Sequence, residues 1–575
     1  MTESALAAVV SDVLAETRAS GFCDQLTELL LEICRIDTTP NADVGVMRDA
    51  ESAVFNILER ELEQVEFPTC QRERRPINPE IAAHPAYSQL HFTKTEERPE
   101  GLCPVAVYGE RSNLLYFVPG AGPADRPHSG VAVNAHIDVV HPYFPPRLED
   151  GIVYGRGSCD DKGGIVGMLV ALQILSRVLA KHGLRFRDNV VAMFVVEEET
   201  GGNGSLSLAI DRELKKLYDS VLVLEITDNK LHPANRGAVW YRAELALPGV
   251  SLFEMSAFVY EELEKEGRSI RAESRHALFP QRPVQTCHGM IGPYGEHPSR
   301  ICGEVSFDLV LGAEPTDMVE DLVRDCIAFA VDEYIGVYGD KTKEIDSGTG
   351  QPKVDHHYDL SRTADGFRID VHGSTGHMGA ILENDGAITK MACMVRALAR
   401  SRAAIEATGG DELSFSLVGH EDKSRLVLEG GQGFVPTHDI TAVMPRMERA
   451  AQVGAENYLR MVGRSEQGSD VVQVTYEKLH NAAFDGDPSS EPMQNAIAAA
   501  TTCGTWDDEP IIGWTVSCDS RLFATEYPGL PVVTTGPGLL THAHSDEEQL
   551  KIDELRKTVE FLAIYLVRQA GLVSG

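Results

Sequence analysis

Residues 195–204, "VVEEETGGNG", set Glu197, Glu198 and Glu199 side by side at the end of the apolar run "NVVAMFVV". Three adjacent carboxylates repel one another, and beside a core they are costly unless a cation holds them. Four other segments also end in ionisable residues. They are "AHIDVV" with His136 and Asp138, "GRGSCDDKGG" with Asp160, "VLVLEITD" with Glu225 and Asp228, and "LLTHAHSDEE" with His542 and His544. Each alone has a bland reading: a core histidine, a turn with solvated charges, an exposed strand end. Together, two histidines and three carboxylates at strand or turn ends suit a pair of borderline-hard divalent ions such as zinc. Paired ions sit roughly 3.5–4 Å apart and need a bridging carboxylate and a bridging water. Side chains alternate along an extended strand, so Glu198 and Glu199 point differently. One can ligate while the other reaches the water.

The elements that must position these residues alternate. "SNLLYFVPG", "SGVAVNAHIDVV" and "DNVVAMFVVEEE" read as strands, and "KGGIVGMLVALQILSRVLAKHG" as a long helix. "LPVVTTGPG" and "KIDELRKTVEFLAIYLVRQAG" resume the pattern near the end. This predicts an α/β domain with a central, mostly parallel sheet, whose sites lie at the carboxyl ends of the strands. The middle differs. Two passes of strand, helix, strand, helix are read there, the second ending in a strand at "THDITAVMPR" and a helix at "MERAAQVGAENYLRMVG". The order suits a duplicated, ferredoxin-like α+β unit, the alternative being an unrelated insertion. The predicted domains are 1–236 and 471–575 for the catalytic part and 237–470 for an inserted lid.

The chain has 575 residues, is 43% hydrophobic and 24% charged, and carries a net charge of −35. Its length calls for two or more domains. Its acidity argues against nucleic acid or an anionic membrane as partner. No apolar run is expected to reach the roughly 18 residues of a membrane span. The start, "MTESALAAVVSDVLAETRASGF", reads as an amphipathic helix and not a signal peptide. Eleven cysteines without CxxC pairs fit reduced, mostly buried thiols and a cytoplasmic location.

Taken in order, "HIDVV", "GRGSCDDKGG", "EEETGGNG", "GPG" and "AHSDEE" resemble the co-catalytic zinc exopeptidases and amidohydrolases. That family includes glutamate carboxypeptidase, succinyl-diaminopimelate desuccinylase, aminoacylase and the carnosinase-type dipeptidases. The resemblance implies a role for each matching position. His136 and Glu225 would bind one metal, Glu199 and His544 the other, and Asp160 would bridge them. Asp138 would hold the His136 imidazole by a hydrogen bond and fix its tautomer. Glu198 would be the general base, and Glu197 would shape the strand end. Asp228 and His542 are near competitors of Glu225 and His544. His377, in the glycine-flanked "VHGSTGHMGA", would supply an oxyanion donor from the lid, while His372 would be structural. Gly536 and Gly538 would form a wall of the substrate site. Arg446 would recognise a substrate carboxylate at the end of a lid strand, the alternative being a surface arginine. Ser299, beside Arg300, would stand where many relatives carry a substrate-binding asparagine. Cys159 reads as a packed residue of the metal-binding turn.

The function implied is hydrolysis of a dipeptide or short peptide by two divalent ions, zinc or else cobalt or manganese. Alternatives are an N-acyl-amino-acid deacylase, a carboxypeptidase, and a non-catalytic metal-binding homologue. Only the second pass carries the lid histidine where the first has "LALPGVSLFE". This resembles monomeric bacterial dipeptidases with an enlarged lid, so the chain would be active as a monomer, a dimer being the alternative. "RRPINPEIAAHPAYSQLHFTKTEERPEG" is either an insertion near the site or an ordinary surface loop.

Overall fold

The computed structural model describes residues 3–122, 129–298, 300–346, 350–380, 385–410, 413–419, 424–476 and 480–575. The chain forms two compact units. One comprises Met1–Ala238, Arg275–Gln281 and Lys478–Gly575; the other comprises Val239–Ser274 and Arg282–Glu477. The short piece Arg275–Gln281 lies inside the stretch assigned to the lid but packs in the first unit. There Gly513 donates its N–H to Leu278 O at 2.6 Å.

The first unit is built on a six-stranded sheet. Its order is Gln71–Pro76, Ser112–Val118, Asn189–Val195, Gly130–His136, Ser220–Leu224, Val532–Thr535. The last four run parallel to one another, and the first two pair antiparallel. Gly130–His136 is buried throughout, as a central strand covered on both faces must be. From it the chain passes through the helix Lys162–His182 to the strand on one side. It then reaches Ser220–Leu224 on the other side. Gly130–His136 is therefore the switch point of the sheet, where open α/β folds place their sites.

Lys162–His182 ends where Gly183 takes φ 61°, a left-handed C-cap that glycine adopts at little cost. It packs against the closing helix Ile552–Gln569. By length and composition Lys162–His182 could cross a membrane, contrary to the sequence reading, but 89% of its apolar window is buried inside the protein. All eleven cysteines are free thiols. Cys34, Cys159, Cys287, Cys503 and Cys518 are buried, while Cys23, Cys70 and Cys103 are exposed. The burial expected of most of them therefore holds for fewer than half.

The second unit contains two strand–helix–strand–strand–helix–strand units, but nested and not in tandem. The outer one uses Gly237–Leu245, Leu252–Glu273, Thr286–Ile291, Leu426–Phe434, Ile440–Met461 and Val472–Thr475. Its strands stand in the order 286–291, 426–434, 237–245, 472–475. The inner one uses Glu304–Val310, Asp317–Tyr338, Tyr358–Arg362, Gly366–His372, Ala387–Arg400 and Ser416–Val418. Its order is 358–362, 366–372, 304–310, 416–418, every neighbour antiparallel. Both are split βαβ arrangements. The inner unit is inserted between two strands that pair with each other, Thr286–Ile291 and Leu426–Phe434. Matching "LALPG" with "VHGST" therefore compared the first strand of the outer unit with the third strand of the inner one. These positions are not equivalent.

"THDITAVMPR" is not a strand. Asp439 caps a helix, Ile440–Met461, by accepting the N–H of Ala442, and the helix continues through Pro445. The alternation of "ITAVM" and the following proline both favour an extended reading, and the cap overrides them.

Candidate metal centre

The expected ligands stand where parallel strands end. His136 is the last residue of Gly130–His136, Glu197–Glu199 follow Asn189–Val195, and Glu225 follows Ser220–Leu224. Asp160 lies in the turn before Lys162–His182, and His544 in the turn before the short strand Gln549–Lys551. Glu225 is fixed to the neighbouring strand, donating its N–H to Thr535 O at 3.0 Å.

Two groups of buried donors result: His136, Asp160 and Glu225, and Asp160, Glu199 and His544. Within each group the donor atoms lie within 4.8 Å of one another. Asp160 belongs to both. Its Oδ1 is 3.2 Å from His136 Nε2, and its Oδ2 is 3.1 Å from His544 Nε2. His544 Nε2 is also 3.0 Å from Glu199 Oε1. Asp228 and His542, the competitors in sequence, enter neither group.

The donor set fits divalent cations. His136 Nδ1 lies 3.0 Å from the carbonyl oxygen of Asp138 and donates to it, so the neutral ring keeps its lone pair on Nε2. That nitrogen is buried without a hydrogen-bond partner. Burial pushes the carboxyls of Glu198 and Glu225 well above the ordinary range, and neighbouring carboxylates add to it. On His544 burial opposes the charge, yet Glu199 and Asp160 outweigh it and raise the imidazole to about 9. The cluster is short of positive charge, which two ions would supply.

Asp138 holds the imidazole, as expected, and does a second job besides. The imidazole is held by its carbonyl, and its carboxylate Oδ1 stands 3.5 Å from His136 Nδ1. The carboxylate accepts the backbone N–H groups of Glu198 at 3.1 Å and Glu199 at 3.0 Å. It thus positions the turn that carries both glutamates.

The cation beside Glu197 is an arginine. Buried Arg111 pairs with Glu197 and, through Nε at 3.0 Å, with Glu51, while Tyr108 donates to Glu197 Oε2 at 2.7 Å. The long passage before Arg111 is tied to the same turn. Ser88 donates through N–H to Asn203 Oδ1 at 3.0 Å and through Oγ to Gly201 O at 3.1 Å. This passage packs behind the turn that carries Glu198 and Glu199.

Sequence reasoning missed Glu548. Its fully buried Oε1 accepts the N–H groups of Gly157 at 2.9 Å, Cys159 at 3.3 Å and Asp160 at 3.2 Å, and Arg156 pairs with its other oxygen. This carboxylate organises the turn that aims Asp160. It lies four residues after His544 in the same motif, and that proximity was the available signal. Glu548→Gln is expected to weaken metal binding about 10–100-fold, as loss of a group that orients a ligand does. A zinc titration of the chelated protein checks it. Buried Asp519 was missed as well; it faces Glu198 closely enough to raise it.

Gly536 and Gly538 touch the ligand loops. A Cβ on Gly536 would lie 2.4 Å from Glu225 O, and one on Gly538, whose φ is +91°, would lie 2.5 Å from Cys159 Cβ. Only bare backbone fits between the Glu225 and Asp160 segments, so these glycines hold the ligands together, and no substrate contact follows from them. Cys159 is packed and buried, as expected.

The sequence profile of Peptidase family M20/M25/M40 matches residues 132–568. The chain belongs to this family. A Peptidase M20 domain-containing protein of Schizosaccharomyces pombe is 32% identical over 108 residues, 19% of this chain and 25% of that protein. Carboxypeptidase G2 of a Pseudomonas species is 30% identical over 164 residues, 27% and 35% of the two. The matched stretch spans about a quarter to a third of these relatives. Human carnosine dipeptidase 1 shares the fold at TM-score 0.55 and 12% identity, over 98% of this chain and 99% of that one. The Saccharomyces cerevisiae di-peptidase Dug1p does so at 0.53 and 15%, over 98% of each. The M20 assignment makes the protein a member of a peptidase family with an α/β catalytic fold.

In the second unit of this M20 protein, His377 is buried, and its Nδ1 accepts the N–H of Gly379 at 2.8 Å. The proton of the neutral ring therefore sits on Nε2. His372 pairs with Asp359 and Glu304, outside the "GSTGHMG" motif. Arg446 is not at a strand end. It lies on the helix Ile440–Met461, where NH1 and NH2 bind Glu273 at 2.7 and 2.8 Å and Nε pairs with Glu266. Its guanidinium ties two helices of the second unit together. Ser299 lies outside the described residues.

Proposed function

We propose that this protein is a di-zinc metallopeptidase that hydrolyses the amide bond of dipeptides or short peptides. The observation that carries the reading is Asp160, with one carboxylate oxygen against His136 Nε2 and the other against His544 Nε2. His136, Asp160 and Glu225 would hold one ion, and Asp160, Glu199 and His544 the other; cobalt or manganese suit the same donors. When bound, the ions acidify water and polarise a carbonyl. Glu198, held through its N–H by Asp138, takes a proton on its carboxylate and returns it to the leaving amine. His377 offers Nε2–H to the developing oxyanion. In this reading the histidine comes from the same chain, the monomer is competent, and the free thiols suit a reducing cytoplasm.

The peptide substrate is favoured because two structures named as dipeptidases match over nearly the whole chain. A carboxypeptidase or an N-acyl-amino-acid deacylase is the second reading, favoured by relatives named carboxypeptidase. A panel of free dipeptides and N-acylated amino acids separates them, assayed with zinc and after chelation. Chelator-sensitive cleavage of free dipeptides is expected. Cleavage confined to acylated substrates would move the protein to the second reading, and zinc-independent cleavage would overturn both.

A further inference from the structure

The inner unit of the lid carries a separate cluster of metal-type donors. His356, Asp359 and His372 present ligand atoms that all lie within 4.8 Å of one another. His356 Nε2 stands 2.9 Å and His372 Nε2 3.0 Å from the same atom, Asp359 Oδ2. The two imidazole rings have their centroids 4.5 Å apart and their planes inclined by 60°.

Glu304 makes this more than a surface charge cluster. It stands directly opposite His372 on the neighbouring strand, and its two oxygens lie 3.2 and 3.3 Å from His372 Nδ1. A proton on Nδ1 is donated to Glu304. Nε2 is thereby aimed at Asp359 Oδ2, where either a second ring proton or a cation fits between the two atoms. A carboxylate behind an imidazole, with the opposite nitrogen facing further donors, is how proteins orient histidine metal ligands. Donors about 2.0–2.1 Å from a tetrahedral zinc lie about 3.3 Å apart, so each histidine–aspartate pair needs only a few tenths of an ångström of opening.

We propose that His356, Asp359 and His372 form a further metal site, taking Zn2+ or a similar borderline divalent ion, with Glu304 as the carboxylate that orients His372. Water completes the coordination on the exposed side. The ion joins the edge strand Tyr358–Arg362, and His356 two residues before it, to the strand Gly366–His372. Its role is to fasten the edge of the inner sheet. None of these four residues belongs to the catalytic set.

The test counts bound zinc in the intact protein. Wild type, Asp359→Asn and a His356→Ala/His372→Ala double variant are equilibrated with zinc, desalted and analysed by elemental mass spectrometry. Each lid variant is expected to hold one zinc fewer per chain than wild type and to keep its turnover. Glu304→Gln is expected to keep the site but weaken it about 10–100-fold. The count is a difference, so it reads the lid site whatever the catalytic donors hold. Asp359→Asn preserves shape, and circular dichroism of each variant confirms its fold. Equal zinc in wild type and folded variants overturns the proposal. So does a third-site affinity in Glu304→Gln equal to that of wild type.

Discussion

Replacing Glu198 by Gln is expected to lower kcat by about 10²–10⁴-fold while both metal ions stay bound. The amide keeps the shape of the carboxylate but cannot accept a proton. The contact that positions residue 198 is made by its backbone N–H to Asp138 Oδ1 at 3.1 Å, so the turn survives the change. Glu199 is held separately, by its own N–H to Asp138 Oδ2 at 3.0 Å, so the neighbouring ligand stays in place. Zinc content beside kcat on the best dipeptide of the panel gives the readout. A variant that turns over normally would remove Glu198 from the mechanism. One that loses metal and activity together would make it a ligand. Mixing Glu198→Gln with a His377→Ala variant extends the test: activity should not return, and its recovery would show that the histidine acts between subunits.

Arg111→Met is expected to destabilise the first unit by about 3–5 kcal/mol, the usual cost of stranding buried charge. Arg111 is 2% exposed and lies between Glu51 and Glu197, themselves 5% and 1% exposed. Removing the guanidinium leaves two carboxylates in apolar surroundings with one neutral donor, Tyr108, on Glu197. Glu197 also has φ 65°, a left-handed conformation that a non-glycine residue keeps only under constraint. Loss of Arg111 should therefore loosen the turn carrying Glu198 and Glu199. Urea unfolding monitored by tryptophan fluorescence measures the change. Adding Glu51→Gln to Arg111→Met should recover part of the loss. Wild-type stability in the single variant would mean that the arginine is dispensable and that the glutamates fold protonated.

The ligands were legible because they follow a local rule: an apolar run of strand length that stops at His, Asp or Glu. His136, Glu199 and Glu225 each end such a run, and the sheet then gathers the ends. Residues that hold the ligands in place obey no local rule. Arg111 meets Glu197 from 86 positions away, and Glu548 reaches Asp160 N–H from 388 positions away. Nothing in "GERSN" announces such a meeting, and for Glu548 only its nearness to His544 does. Asp138 was read correctly as the residue that holds the His136 imidazole, but nothing in the sequence signalled that its carboxylate also grips the N–H groups of Glu198 and Glu199. Arg446 was placed at a strand end because five residues of alternating apolarity before a proline imitate a strand, while the capping Asp439 decides for a helix. The lid's repeated pattern was visible, but its nesting was not, since linear order does not say which strand closes which sheet.

That nesting constrains how the chain can fold. Ile291 and Leu428 are partners in one hairpin, yet the entire inner unit lies between them. Closing such a long, floppy loop carries an entropic cost that grows with the logarithm of its length. A folded inner unit replaces that loop with a rigid body whose two ends emerge where the outer strands must meet. The cheapest route is therefore inside out, with contacts near in sequence forming first and the distant hairpin last. The outer sheet, with the helix that carries Arg446, then becomes the slow-forming and most easily frayed part of the lid.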